Sequence, residues 1–144
     1  MKILLAGINA RYTHSNPAIR YLREMIADLP HEPVLKEYSI NMPLLQVAEE
    51  IRSESPDVAA LSVYIWNARF AADLIATLKL MLPELVIVVG GPEVSYRAEE
   101  WLSDVPGTDI VIRGAGEAAF RELAQNGFPR GERIVERRNP PFEQ

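Results

Sequence analysis

Residues 85–92 read Leu85-Val86-Ile87-Val88-Val89-Gly90-Gly91-Pro92, five aliphatic side chains in a row, four of them β-branched, stopped by two glycines and a proline. A strand with one face in water alternates apolar and polar residues. A run that is apolar at every position is buried on both faces, which is the property of a central strand in a parallel sheet covered by helices on either side. Parallel neighbours cannot be joined by a tight hairpin and need a long crossover, usually a helix. The run therefore predicts that strands and helices alternate along the whole chain.

Working outward from it, residues 2–6 and 58–63 read as two further buried strands. Residues 33–40 are more polar, with Lys36 and Glu37, and suit one edge of the sheet; residues 108–113, "TDIVIR", are short and suit the other. Asn16-Pro17 is an N-cap followed by proline in the first turn, and Ile19, Leu22, Ile26 and Leu29 then recur on one helical face. Residues 44–53 carry Leu44, Val47, Ala48 and Ile51 on one stripe, and residues 67–82 carry Phe70, Leu74, Leu78 and Leu82 and stop before Pro83. A fourth helix is expected over 95–102 and a fifth over 117–126, ended by Gly127. The order βαβαβαβαβα predicts a three-layer α/β/α domain with a five-stranded parallel sheet in the flavodoxin-like order 2-1-3-4-5, which sends the polar second strand and the short fifth strand to the edges.

Composition limits what such a domain does. With 144 residues, 48% of them hydrophobic, the chain has the size of one globular domain. A formal charge of −5 argues against a nucleic-acid partner, which needs a basic surface. The absence of cysteine excludes disulfides, thiolate metal sites and cysteine nucleophiles within these residues. No apolar run has the length of a secretory core or a membrane span, so the expectation is a cytoplasmic protein with no membrane partner.

In sheets of this order ligands bind outside the carboxyl ends of the strands, at the switch point between strands one and three. Four unusual sequences converge there. Strand one delivers the loop from Asn9 to Asn16, with Ala10, Arg11, Tyr12, Thr13 and His14, strand three Ser62-Val63-Tyr64-Ile65-Trp66-Asn67, strand four Gly90-Gly91-Pro92-Glu93, and strand five Gly114-Ala115-Gly116-Glu117. Glycine pairs on adjacent strand ends remove Cβ atoms where backbone and a large flat ligand could approach; the competing reading is that they are a turn and a helix start.

Other chemistries of this fold fit poorly. A phospho-receiver needs clustered carboxylates after strand one, an Asp ending strand three and a Lys ending strand five, but those places read Gly7-Ile8-Asn9, Tyr64-Ile65 and Arg113-Gly114. A flavin phosphate loop needs a Ser/Thr/Gly-rich turn into helix one; "NARYTHSNP" offers Thr13 and Ser15 without glycine. The dinucleotide fingerprint GxGxxG is absent after strand one.

The segments "GINARYTHSNPAIRYL" (7–22), "SVYIWN" (62–67), "VVGGPEVS" (88–95) and "RGAGEAAFREL" (113–123), in order and on successive strand ends, resemble the N-terminal cobalamin-binding domain of the cobalamin-dependent radical S-adenosylmethionine enzymes. The "GGP" and "GAGE" segments correspond to that family's recurrent GGP and GEGE motifs, with Ala115 in place of the usual Glu. The resemblance implies cobalamin as cofactor, bound by Asn9, Ala10, Arg11, Tyr12, Thr13, His14, Ser62, Val63, Tyr64, Trp66, Gly90, Gly91, Pro92, Glu93, Gly114, Gly116 and Glu117, with no catalytic residue and no protein ligand to the cobalt. Other cobalamin domains carry DxHxxG after strand one, whose His binds cobalt. Here Asn9, Arg11 and His14 stand where that motif has Asp, His and Gly, so the axial His is out of register. This agrees with the radical branch, in which the dimethylbenzimidazole tail is displaced into the domain. Ser62 resembles the Ser of the SxL motif that faces the tail, with Tyr64 replacing the Leu.

Each residue also has a structural reading. His14 can cap a turn, Arg11 can cover a helix face, and Glu117 suits a helix N-terminus in any protein. Tyr64 and Trp66 alternate with Val63 and Ile65, and period alone does not say which pair is core. The Arg-rich stretch 129–144, broken by Asn139-Pro140-Pro141, reads as a linker after a cobalamin-binding Rossmann-like domain at 1–128. By resemblance, the linker leads to a catalytic domain of the same parent chain that binds a 4Fe-4S cluster through CxxxCxxC together with S-adenosylmethionine. The expectation is thus a fragment that binds while its parent transfers a methyl group or performs another radical reaction. The competing class is a non-catalytic flavodoxin-like domain that binds FMN, another nucleotide or a protein.

Overall fold

The computed structural model describes residues 1–10 and 16–137. Strands and helices alternate as β1 (Lys2–Asn9), α1 (Pro17–Met25), β2 (Glu32–Ser39), α2 (Leu44–Ser53), β3 (Val58–Ser62), α3 (Ala68–Met81), β4 (Val86–Gly90), α4 (Pro92–Tyr96), α5 (Ala98–Asp104), β5 (Ile110–Ile112), α6 (Glu117–Gln125) and β6 (Ile134–Val135). All neighbouring strands run parallel, in the order β2-β1-β3-β4-β5-β6.

The pleat of these strands divides the core in two. Ile3, Leu5, Val58, Ala60, Val86, Val88, Ile110 and Ile112 pack under α1 and α6, through Ile19, Ile26, Ala119, Phe120 and Leu123. Leu4, Ala6, Ile8, Ala59, Leu61, Ile87, Val89 and Val111 pack under α2, α3 and α5, through Val47, Ile51, Leu74, Ile75, Leu78 and Trp101. The aliphatic run in β4 is thus consumed by both faces, which is why it contains no polar residue.

Two features depart from the sequence reading. The sheet has six strands where five are expected: Val111 N–H donates to the Arg133 carbonyl at 2.7 Å and Arg113 N–H to the Val135 carbonyl at 2.9 Å, so residues 134–135 close the edge of β5. Two apolar residues between Arg133 and Glu136 are too short for a periodic signal, and the stretch reads as linker although its first part joins the sheet. Residues 138–144 of the expected linker lie outside the described residues. The single helix expected at 95–102 is instead two. Pro92 starts α4 early, and the backbone breaks at Arg97 (φ −140°, ψ 49°), whose guanidinium donates to Glu93 at 3.0 Å and Glu100 at 3.3 Å across the break.

The helices over the first face are tied to each other. Arg121 of α6 forks onto Asp28 with bonds of 2.6 and 2.8 Å and reaches the Met25 carbonyl at 2.8 Å. The guanidinium lowers the Asp28 carboxyl from 3.8 to about 2, mainly through these hydrogen bonds. His31 Nε2 donates to the Ala124 carbonyl at 2.8 Å, so the turn after α1 is fastened to the last turn of α6 twice over.

Candidate functional site

The first loop is anchored at both ends by asparagines. Asn9, nearly buried at the end of β1, accepts from Asn16 Nδ2 at 2.9 Å and donates to Glu37 at 3.3 Å. Asn16 Oδ1 in turn accepts from Ile19 N–H at 3.3 Å, the N-cap expected of Asn16-Pro17. This bridge lies directly over Gly7, where a Cβ would come within 2.6 Å of Asn16 Nδ2. Asn9 is therefore a brace of the loop, Ala10 is exposed at its start, and Arg11, Tyr12, Thr13 and His14 lie outside the described residues.

At the switch point a residue outside the expected set does the fastening. Asn67, fully buried, donates to the Ile8 carbonyl at 3.0 Å and the Ser62 carbonyl at 3.2 Å and accepts from Tyr64 N–H at 2.8 Å, which holds the ends of β1 and β3 together. Its place just ahead of α3 looks like a plain N-cap in sequence. The turn it shapes stacks Tyr64 on Trp66 with ring centres 5.3 Å apart and planes 3° from parallel. The pair stands on the rim with Ile65 exposed beside it, while Val63 is fully buried among the α2 and α3 side chains. Val63 therefore offers the rim only its backbone.

The two glycines after β4 differ in kind. Gly91 has φ 108°, and a Cβ there would meet the Val63 carbonyl oxygen at 2.6 Å and its nitrogen at 2.8 Å. Val63 N–H donates to the Gly90 carbonyl at 2.7 Å and Glu93 N–H to the Val63 carbonyl at 3.2 Å, so the position a Gly91 Cβ would take is filled by the chain's own backbone. Gly90 is open: its Cβ would meet nothing closer than Ile112 at 3.9 Å. Gly114 has φ 79°, and Gly116, like Gly90, is open, with Ile112 at 3.6 Å. Ser95 ties the two rim loops by donating to the Gly91 carbonyl at 2.9 Å and accepting from Gly114 N–H at 3.1 Å, a role without a motif. Pro92 and Glu93 form the first turn of α4, with Glu93 paired to Arg97, and Glu117 opens α6.

Gly90 and Gly116 border a slot of about 170 Å³ that runs down the sheet between α1 and α6. Ala18, Leu22 and Phe120 wall it, Ala60, Val88 and Ile112 line the sheet side, and Tyr21, Gly114 and Glu117 also border it. Ala60 and Val88 are register partners, as are Ser62 and Gly90 above them, so the slot descends two residues, roughly 7 Å, below the rim. An apolar cavity on the order of 150 Å³ takes up one benzene-sized ring. At about 170 Å³ and open at the rim, the slot has room for one such flat ring at depth and none for a macrocycle. Among the described residues no cluster of His, Asp or Glu could hold a metal ion, and no helix is long and apolar enough to cross a membrane.

The slot thus lies at the carboxyl ends of β3, β4 and β5, beside the β1/β3 switch point, in a sheet of order β2-β1-β3-β4-β5-β6. The sequence model of the B12 binding domain matches residues 3–124. The chain belongs to the B12-binding domain family. Among curated relatives, this B12-binding domain is 32% identical over 120 residues to the cobalamin-dependent radical SAM methyltransferase TokK of Streptomyces tokunonensis, covering 83% of this chain and 16% of that protein. It is 41% identical over 68 residues to the 2-(S-pantetheinyl)-carbapenam-3-carboxylate methyltransferase of Streptantibioticus cattleyicolor, 47% of this chain and 10% of that protein. The chain thus spans less than a fifth of either relative. Its fold is that of the radical enzyme OxsB solved with aqua-cobalamin and S-adenosylmethionine, with TM-score 0.71, 14% identity, and coverage of 88% of this chain and 19% of that one. A cobalamin-binding protein from Desulfitobacterium hafniense aligns with TM-score 0.65 at 20% identity, over 87% of this chain and 57% of that one.

Proposed function

We propose that this chain is the cobalamin-binding module of a larger radical S-adenosylmethionine enzyme, one that transfers a methyl group or performs another radical reaction. The observation that carries this reading is the slot between α1 and α6 in a B12-binding domain. The residues fit the group: Gly90 and Gly116 leave open the space that a Cβ would occupy, and the apolar walls suit the dimethylbenzimidazole of the cofactor's tail. Ser62, Gly90, Pro92, Gly114 and Glu117 would meet the corrin at the rim, with the Tyr64–Trp66 stack as a flat apolar support and residues 10–14 as a source of hydrogen-bond donors. Cobalamin, when bound, supplies the cobalt that carries the alkyl group. This chain's part is to grip the tail and turn the open corrin face outward, toward a catalytic domain of the same parent chain that holds S-adenosylmethionine and a 4Fe-4S cluster. The exposure of Ile65, Trp66 and Tyr96 near this rim and the small fraction of its relatives that the chain covers support such a neighbour.

The test is direct binding. The chain, incubated separately with hydroxocobalamin, FMN and ATP and passed through gel filtration, is expected to carry only the corrinoid's absorption with the protein peak. Retention of FMN in place of the corrinoid contradicts the proposal and favours a flavodoxin-like nucleotide site.

A further inference from the structure

We infer that the slot selects among corrinoids by their lower base, accepting an apolar base such as dimethylbenzimidazole and rejecting a purine. The inference rests on the reading that the tail enters the slot. The deep part is lined by Ala60, Val88, Ile112 and Phe120, none of which has a polar side-chain atom. The backbone there is committed to the sheet, since Ala60 pairs with Val88 and Val88 with Ile110 in the parallel ladder. The lining side chains with polar atoms are near the mouth: Tyr21 is 57% exposed, and Glu117 begins α6 one turn above Phe120.

A base that slides in edge-first brings its far edge to Ala60 and Val88. For dimethylbenzimidazole that edge is two methyl groups, which gain by leaving water. For adenine it carries ring nitrogens and an amine, which give up water and meet no donor or acceptor. An unpaired polar group in such a place weakens binding far more than a lost methyl does. Adenine is no larger than dimethylbenzimidazole, so the discrimination is chemical and not steric.

The test measures the affinity of the chain for three corrinoids by absorption titration: cobalamin, its adenine-based counterpart, and cobinamide, which has no base at all. Cobalamin is expected to bind at least about tenfold more tightly than the adenine form, and the adenine form no more tightly than cobinamide. Ala60→Ser, which adds one hydroxyl to the floor, is expected to narrow the first ratio. Equal affinity for cobalamin and the adenine form, both well above cobinamide, overturns the selectivity and leaves the tail in the slot. Cobinamide binding as tightly as cobalamin, or no binding of cobalamin, overturns the tail reading and the inference with it.

Discussion

The two faces of the sheet are built from alternate residues of the same strands, and the slot between α1 and α6 opens on one of them. Under α2 and α3, β3 and β4 present Ala59, Leu61, Ile87 and Val89, and Leu74, Ile75 and Leu78 cover them completely. Under α1 and α6 the same strands present Ala60, Ser62, Val88 and Gly90, with Ala18 and Gly116 facing across. The closed face supplies stability, and the open face has given up side-chain volume where a ring can lie. Helices over an unfilled gap would tend to collapse into it. The Arg121–Asp28 fork and the His31–Ala124 bond hold α1 and α6 in place near their C-terminal ends and oppose that collapse.

The sharpest way to break this comparison uses two neighbours. Gly91→Val forces a branched residue into φ 108° and against the Val63 backbone, a strain of roughly 1–3 kcal/mol before the clash is counted. Circular dichroism and thermal melts are expected to show an unfolded or severely destabilised chain. Gly90→Val sits in an ordinary strand conformation and points into the slot. It is expected to melt within a few degrees of the wild type while losing at least about a hundredfold in cobalamin affinity by titration. If Gly90→Val binds normally, the slot is not the tail site.

Next in size is a truncation on the closed face. Leu74→Ala, at a fully buried position, is expected to cost about 2–5 kcal/mol in denaturant unfolding. The molecules still folded should bind cobalamin with unchanged affinity, because no α2 or α3 side chain borders the slot. A parallel loss of affinity would show that the two faces are not independent.

The smallest effect concerns the clamp. The Asp28 carboxyl is held at about 2 against an ordinary 3.8, so its pairing with Arg121 contributes above the ordinary value and is lost as pH falls through about 2. Acid unfolding of the wild type is expected to show an added loss of stability between about pH 4 and pH 2. Arg121→Ala removes that component and lowers cobalamin affinity by a few fold. Identical acid profiles for the two chains would remove the clamp from the account.

The fold was legible because the aliphatic run at 85–89 can only be a doubly covered strand, and because Asn16-Pro17, Pro83 and Gly127 mark helix ends by their backbone chemistry. β6 was not legible, since two residues carry no period. The sequence pointed to the ends of β3, β4 and β5, which border the slot, but not to the slot itself. The slot consists of missing volume at Ala18, Ala60, Gly90 and Gly116, residues far apart in sequence that only the register brings together. Gly91 shows a related limit: a glycine tells that something comes close to its Cβ position, and here it is the Val63 backbone. Asn67 and Ser95 end two of the segments that carry the resemblance, yet their bracing roles were not legible, because holding loop ends together needs only a small polar side chain at the right place.

In the proposed mode of binding the dimethylbenzimidazole tail would occupy the slot between α1 and α6, and no residue of this chain would take its place on cobalt. Electron paramagnetic resonance of the chain loaded with cob(II)alamin reads this directly, because a nitrogen below the cobalt splits each cobalt line into a triplet. The account predicts unsplit lines for the bound cofactor, and the same spectrum in His14→Ala. A triplet that persists in His14→Ala would mean that the tail still holds the cobalt. A triplet that vanishes in that variant would make His14 the ligand. Either result contradicts the account.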